Sequence, residues 1–128
     1  MARAFPIIYV PDVERAAAFY VGQLGCEETF RLPPEGPAGY IGLALGDSRL
    51  ALVHSSWPEE RIGVRVGSLP RFELWVYVDD VDATVERLRG ADVPVLMDPE
   101  DMPWGERMAY VADPDSNPVA LACPPPAD

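Results

Sequence analysis

Lysine is absent from this chain, histidine occurs once, at His54, and cysteine twice, at Cys26 and Cys123. Without lysine there is no amine nucleophile and no Schiff-base chemistry. A single histidine excludes any site that needs two imidazole ligands from one chain. The two cysteines make neither a CxxC pair nor a disulfide framework. No apolar run reaches the length of a membrane span. The opening residues Met1 to Pro6 carry no hydrophobic signal region. These absences lead us to expect a cytoplasmic protein.

Positive charge is scarce too. Ten basic residues, all arginine, face 21 acids, for a net charge of −11. Binding to a nucleic-acid backbone rests on basic side chains neutralising phosphates, so that partner is not expected, and an anionic membrane surface is disfavoured for the same reason. A cationic small molecule would be attracted. Solubility alone accounts for the acid excess equally well.

Apolar residues are plentiful at 48% of 128, enough for one domain or for two small motifs sharing a core. Their arrangement repeats. Val10-Pro11-Asp12-Val13-Glu14-Arg15 opens one unit and Val78-Asp79-Asp80-Val81-Asp82-Ala83 opens another. Each segment follows a strand-like run (Pro6 to Val10, Phe72 to Val78) and precedes a helical pattern ending near a glycine. Val13, Ala17, Tyr20 and Leu24 share one face of the first helix, and Val81, Val85 and Leu88 one face of the second. Asp12 and Asp80 stand where a carboxylate caps free N–H groups.

Three strands are expected after each helix. They are Cys26–Leu32, Tyr40–Leu45 and Arg49–His54 in the first unit, and Val95–Pro99, Arg107–Ala112 and Val119–Cys123 in the second. Gly46-Asp47-Ser48 and Asp113-Pro114-Asp115-Ser116-Asn117 are the turn signals. The fold class is α+β: a first βαβββ module over 1–54, a connecting loop over 55–71, a second module over 72–123 and a tail over 124–128 that frays. Strand alternation puts Phe72, Leu74, Val76 and Val78 toward the helix and Glu73, Trp75 and Tyr77 away from it. A carboxylate and two amphipathic rings suit a ligand surface or a dimer contact.

The paired βαβββ pattern, Asp12 to Tyr20 with Leu24-Gly25, and Val111 to Asn117 resemble the vicinal-oxygen-chelate superfamily, which includes glyoxalases, dioxygenases and bleomycin-resistance proteins. The resemblance spans nearly the whole chain. Its second motif departs from the family's "DPDGN" pattern, because Ser116 stands where glycine is usual. The resemblance implies two sheets forming a cup with helices outside. It also implies a divalent metal held by His and Glu at positions that match, by spacing, Phe5, Leu52, Glu73 and Ala120. Only Glu73 of these has a donor atom, so no metal and no cofactor are expected. His54, two residues beyond Leu52, would add one nitrogen or simply end a strand near solvent.

Metal-free members of the superfamily bind antibiotics. They are similar to this chain in Pro103-Trp104-Gly105-Glu106-Arg107 and in the aromatic-rich Glu73 to Val78. The resemblance therefore implies a homodimer that acts by sequestration, and the missing metal ligands, the acid excess and the aromatic face point to a small aromatic, cationic ligand. The candidate ligand-binding residues are Glu73, Trp75, Tyr77, Trp104 and Tyr110, with Trp57 as a lid from the connecting loop, Leu52 and Phe5 at the family's metal positions and His54 two residues beyond Leu52. Each ring serves equally well in core or dimer packing. Glu73 needs solvent, a proton, a cationic ligand or an arginine such as Arg107. Asp98, Glu100 and Asp101 read as a solvated loop. The alternatives are a divergent lyase, isomerase or dioxygenase using Glu73 and His54, and an interaction module without a ligand.

Overall fold

The computed structural model describes residues 3–67 and 72–124, in two compact units divided between Ser68 and Leu69. The first unit runs β1 (Ile7–Val10), α1 (Val13–Gly22), β2 (Glu27–Leu32), β3 (Tyr40–Leu45), β4 (Ser48–His54) and α2 (Ser56–Ile62). The second runs β5 (Leu74–Tyr77), α3 (Val81–Gly90), β6 (Val95–Asp101), β7 (Arg107–Ala112) and β8 (Pro118–Cys123). Each unit carries one mixed four-stranded sheet, in the orders β1-β4-β3-β2 and β5-β8-β7-β6. This is the paired βαβββ architecture, with α2 added after the first module.

Asp12 and Asp80 start the two main helices. Their Oδ1 atoms accept the N–H of Arg15 and of Ala83, both at 3.0 Å, and such a cap is worth about 1 kcal/mol. The helix α1 buries Val13, Ala16, Ala17, Phe19 and Tyr20, and α3 buries Val81, Val85 and Leu88. Past α1, Gly25 adopts φ +82°, and the Cys26 N–H donates to the Tyr20 carbonyl at 2.9 Å.

Sheet alternation then decides what each unit buries. In the first unit Ile8, Val10, Ile41, Leu43, Leu50 and Leu52 are buried, on the face packed by α1. In the second, Val76, Val111, Val119 and Leu121 take the corresponding role. The turn before β8 is held by Asp113, whose Oδ1 accepts the N–H of Asp115 (2.9 Å) and of Asn117 (2.8 Å). Asn117 Nδ2 donates to Asp113 Oδ2 at 2.9 Å. Ser116 sits in this turn at φ +66°, the left-handed conformation that glycine adopts without cost.

Two expectations change. The connection over 55–71 is not all loop, because Ser56–Ile62 is helical. Its signals are local: Pro58 and Glu59 lie in the first turn, and Gly63 follows the last residue at φ +69°. The acidic segment Asp98 to Asp101 belongs to β6, an edge strand with two register shifts that tolerates Pro99. The tail beyond Pro124 lies outside the described residues.

Candidate functional site

The open face of the second sheet is built in rows. Trp75 pairs with Ala120, Ala120 with Tyr110, and Tyr110 with Met97. Tyr77 pairs with Ala122, Ala122 with Met108, and Met108 with Glu100. The small residues of β8 and Met108 form a buried floor, with Met97, Met102 and Tyr110 packed against it. Trp75, Tyr77 and Trp104 are all exposed. The Trp75 and Tyr77 rings meet edge-on, 6.2 Å between centroids.

Trp104 is aimed by its turn. Met102-Pro103-Trp104-Gly105 closes with Gly105 N–H to the Met102 carbonyl at 2.9 Å, and Gly105 takes φ +98°. Proline at the second position sets the required φ. The indole then donates from Nε1 to Glu106 Oε1 at 2.6 Å. The Tyr77 phenol is pushed up chiefly by hydrogen bonding with the Glu106 carboxylate, then by desolvation and the Glu106 charge; Trp75 opposes part of the shift.

Glu73, also exposed, accepts a hydrogen bond from the Tyr110 hydroxyl at 3.3 Å. The Tyr110 phenol is raised first by burial, then by the Glu73 charge and hydrogen bond. Arg107 does not reach Glu73. It makes a two-point contact with Asp82 (2.6 and 2.9 Å) and one with Asp101 (3.0 Å). The reason is alternation: Met108 and Tyr110 occupy the open face of β7, so Arg107 points to the side of α3, which carries Asp82.

Glu73, Trp75, Tyr77, Trp104 and Tyr110 therefore share one surface. Glu106 joins them, and sequence reasoning passed over it. The signal was there, since an acid two residues past a tryptophan across a Gly turn is in reach of the indole N–H.

The remaining candidates lie in the first unit. Leu52 is fully buried and pairs with Ile8 and Ile41, on the face packed against α1. Its match by spacing to a metal-ligand position is a one-residue miscount. Ile7 pairs with Ala51 as Trp75 pairs with Ala120, so Ala51 is the true counterpart of Ala120. The stretch from Tyr110 to Ala120 is one residue longer than that from Gly42 to Ala51, because a longer turn joins its strands. A one-residue slip moves a side chain to the opposite face.

His54 shares Leu52's parity. Its Nδ1 accepts the Ser56 N–H at 3.1 Å and lies 2.7 Å from Ser56 Oγ, at the start of α2. Trp57 lies on α2 rather than in a loop, with the Arg61 guanidinium 4.5 Å from its ring centroid. Phe5 is exposed and lines a cleft with residues of β2, β3 and β4.

The residues present do not fit a divalent metal. In the first unit the positions that would offer ligands are Phe5 and Ala51; in the second they are Glu73 and Ala120. A catalytic metal needs about three protein ligands; the pair in the first unit supplies none and the pair in the second supplies one. Among the described residues no group of three His, Cys, Asp or Glu side chains is placed to hold a metal ion. No helix among them is long and apolar enough to cross a membrane.

Comparison with known proteins gives a consistent picture. The profile described as Glyoxalase/Bleomycin resistance protein/Dioxygenase superfamily matches residues 3–121. An uncharacterized protein of Mycobacterium bovis is 30% identical over 125 residues, covering 93% of this chain and 81% of the relative. Solved structures that share the fold include the following two. TioX from Micromonospora sp. ML1 aligns with a TM-score of 0.81 at 21% identity, over 95% of this chain and 98% of TioX. A glyoxalase-related enzyme from Fulvimarina pelagi aligns at 0.79 with 27% identity, over 97% and 89% of the respective chains.

Proposed function

This chain belongs to the glyoxalase/bleomycin resistance protein/dioxygenase superfamily, and on that premise we propose that it binds a small aromatic cation, without a metal and without turnover, in the manner of the antibiotic-sequestering members. One observation carries the reading. Exposed Trp75, Tyr77 and Trp104 and part-buried Tyr110 stand on an alanine and methionine floor, with one carboxylate bonded to Tyr110 and another to Trp104.

Magnitudes divide the labour. Each ring stacked on a planar ligand contributes about 0.5–1.5 kcal/mol beyond area burial. A cation over an indole adds about 0.5–1 kcal/mol where water has access. Glu73 is exposed, so its direct pairing with a cation is worth roughly 0–1 kcal/mol. Affinity thus comes from the rings and the floor, while Glu73 and Glu106 select the sign of the ligand's charge. The acid excess speeds approach and loses its effect as salt rises.

Calorimetry of chelator-treated protein against bleomycin-type and mitomycin-type compounds, and against a planar acridinium cation, tests this. Saturable binding that weakens with salt is the expected result. No saturable binding in any class, or binding that appears only when a transition metal is restored, overturns it. Turnover of a ligand by the chelated protein would replace the binder with an acid–base catalyst using Glu73. Homodimerisation is part of the proposal, and sedimentation equilibrium of the purified chain is its check.

A further inference from the structure

The first unit has a cleft of about 420 Å³ of the opposite electrostatic character. Its walls include Phe5, Phe30 and Tyr40, the hydroxyl-bearing Thr29, and two guanidinium side chains, Arg3 and Arg49, with no carboxylate among the lining residues. In a chain where acids outnumber arginines 21 to 10, that composition runs against the overall charge. The Arg31 guanidinium, by contrast, is held by Glu14 and Glu28 at 2.9 and 2.8 Å. For Arg49 the contact is only a 3.5 Å approach of Nη1 to the Ser48 carbonyl.

The cleft has a definite origin in the fold. Gly42 occupies the position in the first sheet that Tyr110 holds in the second, pairing with Ala51 as Tyr110 pairs with Ala120. Where the second sheet raises a ring, the first has no side chain. A register shift between Glu28 and Phe30 lets Thr29 bulge over that gap. A Cβ on Gly42 would come within 3.1 Å of Thr29 Oγ1 and 3.5 Å of Phe30 Cβ. The Phe30 and Tyr40 rings meet edge-on at 5.9 Å, forming an apolar wall.

We propose that this cleft binds a planar aromatic carboxylate, with the ring against Phe5, Phe30 and Tyr40 and the carboxylate on Arg49 and Arg3. Guanidinium donors match a carboxylate in a planar two-point geometry, and the cleft falls in the usual size range for small-molecule sites. The proposal does not rest on the cation-binding reading. It concerns the other unit and the opposite ligand charge.

The test is amide NMR of the isotope-labelled full chain titrated with 1-naphthoate, with 1-naphthamide as neutral analogue and 1-naphthylmethylammonium as cation. We expect saturable shifts at Thr29, Gly42 and Arg49, and the amide binding at least about tenfold more weakly, the scale of a lost charge-assisted hydrogen bond. Arg49→Gln, on an exposed side chain, should lower naphthoate affinity by a similar factor and leave the spectrum folded. Arg3→Gln gives an independent second reading. No saturable naphthoate shifts, shifts confined to the second unit, or equal binding of acid and amide would each overturn the proposal. The ammonium compound reports on the cation reading alone, so the two ideas fail separately.

Discussion

The phenol of Tyr110 donates to Glu73 across 3.3 Å, joining β7 to a residue 37 positions earlier in the chain. That distance is long for an O–H···O bond, which agrees with burial, rather than Glu73, being the first cause of the raised Tyr110 phenol. Glu73→Gln should therefore bring the phenol part of the way down while leaving it above the ordinary value of about 10. Carbon NMR of labelled tyrosine, assigned with Tyr110→Phe, measures it. Because the folded group titrates higher than the unfolded one, its contribution to stability is complete below about pH 10 and fades as pH rises through the folded value. A return to the ordinary value in Glu73→Gln would reverse the order of causes.

Removing either indole should weaken the proposed cation binding. Trp75→Ala and Trp104→Ala are each expected to cost about two- to tenfold in affinity, the scale of one aromatic contact. Trp104→Phe keeps a ring but loses the N–H that bonds Glu106, so it should fall between wild type and alanine. Fluorescence or calorimetric titration with the acridinium cation reads this series. Unchanged affinity in both alanine variants would remove the rings from the site.

The turn before β8 contains two opposing terms. Ser116 at φ +66° stores backbone strain, and Ser116→Gly should stabilise the protein by up to about 1 kcal/mol. Asp113 is buried and accepts three hydrogen bonds. Asp113→Ala should destabilise by about 2–4 kcal/mol, since its donors lose their partner inside the fold. Urea denaturation of both variants gives the comparison, and a destabilising Ser116→Gly would contradict the strain argument.

Acid should open the Asp82 pair. Hydrogen bonding to Arg107 holds the Asp82 carboxyl below its usual range. A depressed carboxyl contributes stability that is complete above the unfolded value of about 4 and is lost as pH falls through the folded one. Asp82→Asn should lower stability at neutral pH and flatten the acid limb by the same small amount, converging with wild type in acid, because the pair is exposed to solvent. An identical acid limb in the variant would show that Arg107 gains nothing from Asp82.

Much of the fold could be read locally. Asp12 and Asp80 are short-range caps, and Asp113 to Asn117 is a short-range turn. The period-2 pattern puts Trp75 and Tyr77 on the face opposite Val76, as found, and Glu73 meets Tyr110 on that same side. The helix α2 was legible too, from Pro58 and Gly63, but its apolar stripe is too short to stand out as a period.

What the chain's order of residues determined by itself was set mostly within a few positions: the caps, the turns, the side of β5 that carries the rings, and the lack of donor atoms at Phe5 and Ala120, together with the recurrence of one local pattern in each module. Only tertiary structure decided which residues meet across strands. Turn length sets β4 register, and one residue there sent Leu52 to the face against α1 and brought Ala51 to the open side. Likewise Arg107 chose Asp82 over Glu73, and Gly42 opened a cleft where Tyr110 fills its own sheet. Local chemistry acts along the chain, whereas pairing depends on where separate strands come to lie side by side, and no short window contains both partners.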